Sequence, residues 1–185
     1  MARYRRYRRT IIRVPKKKWA SNYINITGQL ANGTDGNFYH SQQLAINATE
    51  SNAPTPVVVK TGNFRVQFDL TLNVAASGAV SARAYIVYIP QGWNIGSDPT
   101  TIVNNVGSLV SQHPEWILAW RQLDFGNANA AGSVDTSVVR MSSRLKRNLN
   151  TGDRVNFYLI GNGDFTGINF RGNLTGACQF WTCAN

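Results

Sequence analysis

Few side chains in this sequence are of a type that does covalent chemistry, and their spacing does not gather them. The two histidines, His40 and His113, stand 73 positions apart. His40 lies in a polar, strand-like context, and His113 precedes Pro114 in a loop; neither has a carboxylate or nucleophile signature beside it. The nine acids are scattered, and there is no GxSxG, HExxH, phosphate-binding loop or glycine-rich βα turn. Cys178 and Cys183 are separated by an odd number of residues, which in a strand puts them on opposite faces. They are expected as two small buried thiols, with no disulfide between them. No CxxC pair or His/Cys cluster offers a metal site, so no cofactor, no metal and no catalytic residue is expected.

The residues that can act on a partner are cations. Residues 1–18 read MARYRRYRRTIIRVPKKK, six arginines and three lysines without an acid; the first acid is Asp35. The full chain carries a net charge of +10, and this segment holds nine of those charges, so the rest of the chain is nearly neutral. Arg3, Arg5, Arg6, Arg8, Arg9, Arg13, Lys16, Lys17 and Lys18 form an arm that neutralises phosphates whatever the base sequence. Tyr4 and Tyr7, set among the arginines, add planes on which unpaired bases stack. The same run fits a nuclear localisation signal. A second basic cluster, Arg144, Lys146 and Arg147, precedes the turn signal Asn150–Asp153. It reads as a charged strand end, as an inward set meeting nucleic acid, or as an intersubunit ion-pair set; the nucleic-acid reading places Arg144, Lys146 and Arg147 with the arm as contact residues.

No apolar run reaches the roughly 18 residues of a membrane span, so no membrane insertion is expected. Arg13 directly follows Ile11 and Ile12, leaving no apolar segment for a secretory signal. The four Asn-X-Thr sequons at Asn25, Asn32, Asn47 and Asn173 are therefore expected to stay unmodified.

From Trp19 onward the texture is that of strands and turns, and the organisation is an arm, 1–18, followed by one domain, 19–185. Eight strands are expected near Ala20–Leu30, Phe38–Ala48, Asn63–Val74, Val80–Pro90, Glu115–Phe125, Val134–Leu145, Arg154–Gly161 and Ala177–Cys183. Phe64 to Leu72 alternates apolar and mostly polar residues, the mark of one wet face. Tyr85–Ile89 and Val155–Ile160 are apolar enough to be covered on both sides. Ser97-Asp98-Pro99 signals a helix start, with one or two turns over Thr100–Val110 inside a long surface loop. Trp116, Leu118 and Trp120 are expected on one strand face, and with Trp93 and Trp181 they read as core, with some at a subunit interface. The fold class is all-β: a single jelly roll, an eight-stranded two-sheet sandwich, behind a disordered basic N-terminal arm.

Three segments occur in order: Tyr85–Gly92 (YIVYIPQG), His113–Trp116 (HPEW) and Ser143–Asp153 (SRLKRNLNTGD). Together with the Arg/Tyr start they make the chain resemble capsid proteins of circular, Rep-encoding single-stranded DNA viruses, the circovirus-like group. The resemblance covers most of the chain and departs from the group in its short arm. It implies a single jelly roll and a non-enzymatic coat protein that assembles with itself into a sixty-subunit icosahedral shell. It also implies a single-stranded DNA genome as cargo and virion localisation. The host nuclear import machinery would recognise the arm, bringing the protein to the host nucleus, and an unidentified host receptor would bind the shell. The rival reading is a cellular nucleic-acid-binding β-sandwich with a basic tail.

Overall fold

The computed structural model describes residues 18–32, 36–48, 58–74, 80–125, 133–162 and 171–184. The arm from Arg3 to Lys17, with its expected disorder, lies outside the described residues. Two antiparallel sheets face one another. The first has the order β1 (Ala20–Gln29), β9 (Arg171–Ala184), β4 (Val59–Val74), β7 (Ser133–Leu149). The second runs β2 (Ala31–Asn32), β3 (Asn37–Ile46), β8 (Arg154–Asn162), β5 (Val80–Ile89), β6 (Ile117–Phe125). The pairings β1·β9, β3·β8, β4·β7 and β5·β6 are nested. The chain therefore behaves as one long hairpin of paired strands rolled into two layers, the defining connectivity of a jelly roll. The eight expected strands are β1 and β3 to β9 in order, and the two-residue β2 is an addition beside β3.

Alternation decides which side chains the layers share. On β4, Phe64, Val66, Phe68 and Leu70 are buried while Arg65, Gln67 and Asp69 are exposed. Between the sheets they meet Ile26, Phe38, Ile86, Phe157 and Leu159. The rings of Phe68 and Phe157 cross edge to face at 5.2 Å, and Phe64 stacks on Phe180 at the same separation. Tyr85 to Ile89 and the middle of β8 are covered on both sides, as their composition implies.

The second cover is larger than the sequence reading allowed. In place of one or two turns in a surface loop, α1 runs Pro99–Gln112. Asp98 caps it, its Oδ1 accepting from the Thr101 amide at 3.0 Å, and Pro99 occupies the first turn. The Thr101 side chain, and then this amide hydrogen bond, hold the Asp98 carboxyl below its ordinary pKa. Ile102, Val106 and Leu109 form an apolar stripe that packs on Tyr85, Val87, Ile89, Tyr158 and Ile160, making a second core on the outer side of the second sheet. The helix stops where the His113 amide bonds the Leu109 carbonyl at 2.9 Å and Pro114 follows.

Two further corrections come from this region. Pro114–Trp116 form a 3-10 turn, so β6 begins at Ile117 and not at Glu115. A bulge then pairs Ile86 with Ala119 and Val87 with Ile117, leaving Leu118 as the extra residue. Leu118 and Ala119 both turn to the inter-sheet core, whereas Trp120, opposite Tyr85, faces out and is 61% exposed. Trp116, Leu118 and Trp120 thus do not share a face. Cys178 and Cys183 are free and buried, and burial pushes the Cys178 thiol up to about 12, keeping it protonated and inert.

Candidate nucleic-acid interface

The outer face of the first sheet is built in cross-strand rows. Ser21, Trp181, Gly62 and Lys146 stand in one register line; Tyr23, Gln179, Arg65 and Ser142 in the next; Asn25, Ala177, Gln67 and Arg140 in the third; Thr27, Thr175, Asp69 and Val138 in the fourth. Long side chains rim this face and Ala177 sits near its middle, so the twisted sheet encloses a trough of about 990 Å³ lined by Tyr23, Arg65, Gln67, Asp69, Arg140 and Gln179 among others. Its cations are Arg65 and Arg140, set against the carboxylate of Asp69, and Lys146 stands outside it in the Trp181 row.

Arg65, Arg140 and Lys146 each have a partner that fixes their position. The Arg65 guanidinium lies over the Trp181 ring at 5.4 Å. Arg140 donates from Nε to Gln67 Oε1 at 3.2 Å. Lys146 reaches across the face to place Nζ 5.2 Å from the Trp19 ring. Gly62 makes that reach possible. A β-carbon there would fall 2.7 Å from Lys146 Cγ and 3.2 Å from the Leu145 carbonyl oxygen, so only glycine leaves room for the lysine stem.

The sequence-predicted contact residues separate accordingly. Lys18 is exposed at the mouth of β1, and beside it Trp19 meets Lys146. The root of the arm and the second basic cluster are therefore neighbours, although 128 positions separate Lys18 from Lys146. Arg144 is exposed on β7, where the pairing with β4 shifts register between Gly62 and Phe64. Arg147 turns the other way: it donates to the Glu115 carbonyl, lies over Tyr88 at 5.9 Å, and is half-buried with its Nε unpartnered. It braces β7 against the turn before β6. The sequence reading missed Arg65, Arg140 and Tyr23, and it grouped Trp181 with the core and interface aromatics, not with Arg65. The wet positions of β4 were legible as alternation, but the register that aligns them with β1, β7 and β9 was not.

At the far end of the sandwich, Asp153 is buried and accepts from the Tyr88 hydroxyl at 2.8 Å and from the amides of Gln91 and Asn150 at 2.9 Å each. Burial, then this hydrogen bond, pushes Tyr88 up to about 12. His113, read from sequence as lacking a carboxylate, has one: its Nδ1 lies 3.2 Å from Glu115 Oε1 while its ring stacks on Trp116 at 4.0 Å. The Glu115 backbone amide, and after it this partner, hold the Glu115 carboxyl below its ordinary pKa. Trp93 crosses Trp116 edge to face at 5.0 Å, closing an aromatic cluster. Among the described residues, no three His, Cys, Asp or Glu side chains group in a way that could hold a metal ion.

No family model matches the chain, and no curated protein matches it. A solved structure of infectious bursal disease virus, Gx strain, is similar over 89% of this chain, with 10% sequence identity and a TM-score of 0.40. The match covers 32% of that chain, so the present one spans about a third of its length. A likeness at that score carries no argument about function, and the jelly roll rests on the strand order itself.

Proposed function

We propose that this protein is a viral coat protein whose jelly-roll domains assemble into a closed icosahedral shell of sixty copies and whose basic arm packages a single-stranded DNA genome. The observation that carries the reading is the division of charge: an acid-free arm with nine cations feeds, at Trp19, into a nearly neutral jelly roll. A neutral body associates through apolar and hydrogen-bonded surface without self-repulsion, while a polycationic arm binds phosphate without reading bases. Trp93 and Trp120, 38% and 61% exposed, supply aromatic surface of the kind that subunit contacts bury. The arm also serves as the nuclear import signal, the assembled shell presents the receptor-binding surface, and the chain acts without catalysis. The rival reading, a cellular nucleic-acid-binding β-sandwich protein with a basic tail, gives the tail a role but none to the exposed tryptophans.

The test is the cargo. Full-length protein and a variant with Arg3, Arg5, Arg6, Arg8 and Arg9 replaced by Ala are expressed, and the assembled fraction is assayed for nucleic acid by its absorbance ratio and by nuclease-resistant content. The reading expects shells from both proteins and a large loss of cargo from the variant. Equal cargo in both would overturn the arm's role.

A further inference from the structure

We infer that the outer face of the β1-β9-β4-β7 sheet is itself a binding surface for single-stranded nucleic acid, a fixed platform onto which the arm delivers its ligand. The inference rests on the proposed function for the presence of nucleic acid, and extends it from the basic arm to named, positioned side chains on the folded domain.

Three observations converge on this face. The first is charge. The domain as a whole is nearly neutral, yet Arg65, Arg140 and Lys146 share this face with the acid Asp69, while Asp98, Glu115 and Asp153 sit at the helix start, the 3-10 turn and the β7–β8 turn. A concave, positively charged trough attracts a polyanion more strongly than the same charges on a convex surface. The second is aromatic surface. Tyr23 stands 69% exposed on the trough wall, in the same register line as Arg65 and one line from Trp181, so its ring offers a free face to an unpaired base. The third is preorganisation. Arg65 lies over Trp181, Lys146 over Trp19, and Arg140 on Gln67, so these flexible cations are held before a ligand arrives and lose less entropy when it binds.

The arrangement selects its ligand. Duplex bases are stacked on one another and present no face to Tyr23, whereas a single strand presents both phosphates and bases. The occupant is therefore a single strand, which enters beside Trp19, where the arm begins, and runs across the rows toward Arg140.

The experiment compares full-length proteins by fluorescence anisotropy, with an oligo(dT) long enough to cross the sheet and a duplex of equal length, over a series of salt concentrations. The proteins are wild type, Arg65→Gln/Arg140→Gln, Tyr23→Ala and the arm variant with five Arg→Ala changes. All the sheet substitutions are at exposed positions, and circular dichroism checks that the fold persists. Loss of two phosphate contacts is expected to flatten the slope of log affinity against log salt by about 1.4 for oligo(dT). Tyr23→Ala is expected to weaken oligo(dT) about fivefold or more and to leave the duplex nearly unchanged. The arm variant is expected to bind more weakly but to keep a measurable response to Arg65→Gln/Arg140→Gln added on top of it. Wild-type affinity and slope in the double variant, beside a weakened arm variant, would overturn the platform and leave the arm reading standing. An unweakened arm variant beside a weakened double variant would do the reverse. Impaired particle formation with unchanged oligo(dT) binding would assign the face to a second copy of the chain and also overturn the proposal.

Discussion

Asp153 shows how a single buried carboxylate organises one end of the domain. Its three donors come from β5, from the loop before α1 and from its own turn, and its backbone carbonyl accepts from the Asn47 amide at 3.0 Å. Gly152, at φ +83, lets the chain turn there. Asp153→Ala leaves a buried hydroxyl and two amides unpaired and should cost about 3 kcal/mol in chemical denaturation; a loss within error of zero would contradict the account of the turn. The sequence showed Asn150–Asp153 as a turn but not the donors that converge on it, because Tyr88 and Gln91 lie more than sixty positions away. His40 permits a pH test. Burial holds its imidazole pKa below the ordinary 6.5, with the Gln29 backbone pulling the other way, and Nε2 is buried without a partner. The unfolded chain thus takes up the proton more readily than the folded one. The contribution of this group to stability is full above pH 6.5 and is lost as the pH falls below it. His40→Gln should therefore show a smaller acid-induced drop in denaturant midpoint than wild type across pH 6.5; equal drops would remove His40 from the account.

At the scale of elements, α1 makes the second sheet a covered layer. Leu109 is 2% exposed against Ile89 and its neighbours, so Leu109→Ala should destabilise by about 3 kcal/mol, whereas Val110→Ala, at a position 46% exposed, should be nearly silent. Similar losses for the two would mean that the helix is not seated as described. The strands were legible because Phe64 to Leu72 and Tyr85 to Ile89 carry their burial in their spacing, and the helix start was legible in Asp98-Pro99. Its length was not. Asn104, Asn105 and Ser108 are weak helix formers, and the helix persists because Ile102, Val106 and Leu109 bury against a sheet the local sequence cannot reveal. The first half of β9 was missed for a related reason. Arg171 to Gly176 is polar and glycine-bearing, and it is held as strand by pairing with both β1 and β4. The Leu118 bulge likewise belongs to strand pairing, and it alone moves Trp120 from the expected inner face to the surface.

For the whole molecule, the rolled, nested pairing joins Ala20 to Thr182 and Asn37 to Asn162, so nearly every sheet contact is distant in sequence. Such a topology folds slowly, on the order of milliseconds to seconds. The same rolling brings Lys18 and Trp19 to Lys146 and collects charge on one sheet, a placement that composition could not show; composition showed only that the arm held nearly all of it. Binding through that arm should be almost blind to base sequence, and if six of its cations engage phosphates, log affinity should fall with log salt at a slope of roughly −4 for single strands. A flat salt response or a preference for one short sequence would contradict a polycationic arm. The central claim, that this domain builds a shell, is tested most directly by the mass of the purified full-length protein, measured particle by particle across ionic strength with electron micrographs of the same samples. Closed, uniform particles are predicted whose protein shell weighs about 1.2 MDa, sixty copies of a 20.5 kDa chain. Monomers and dimers alone, at every ionic strength, would contradict it.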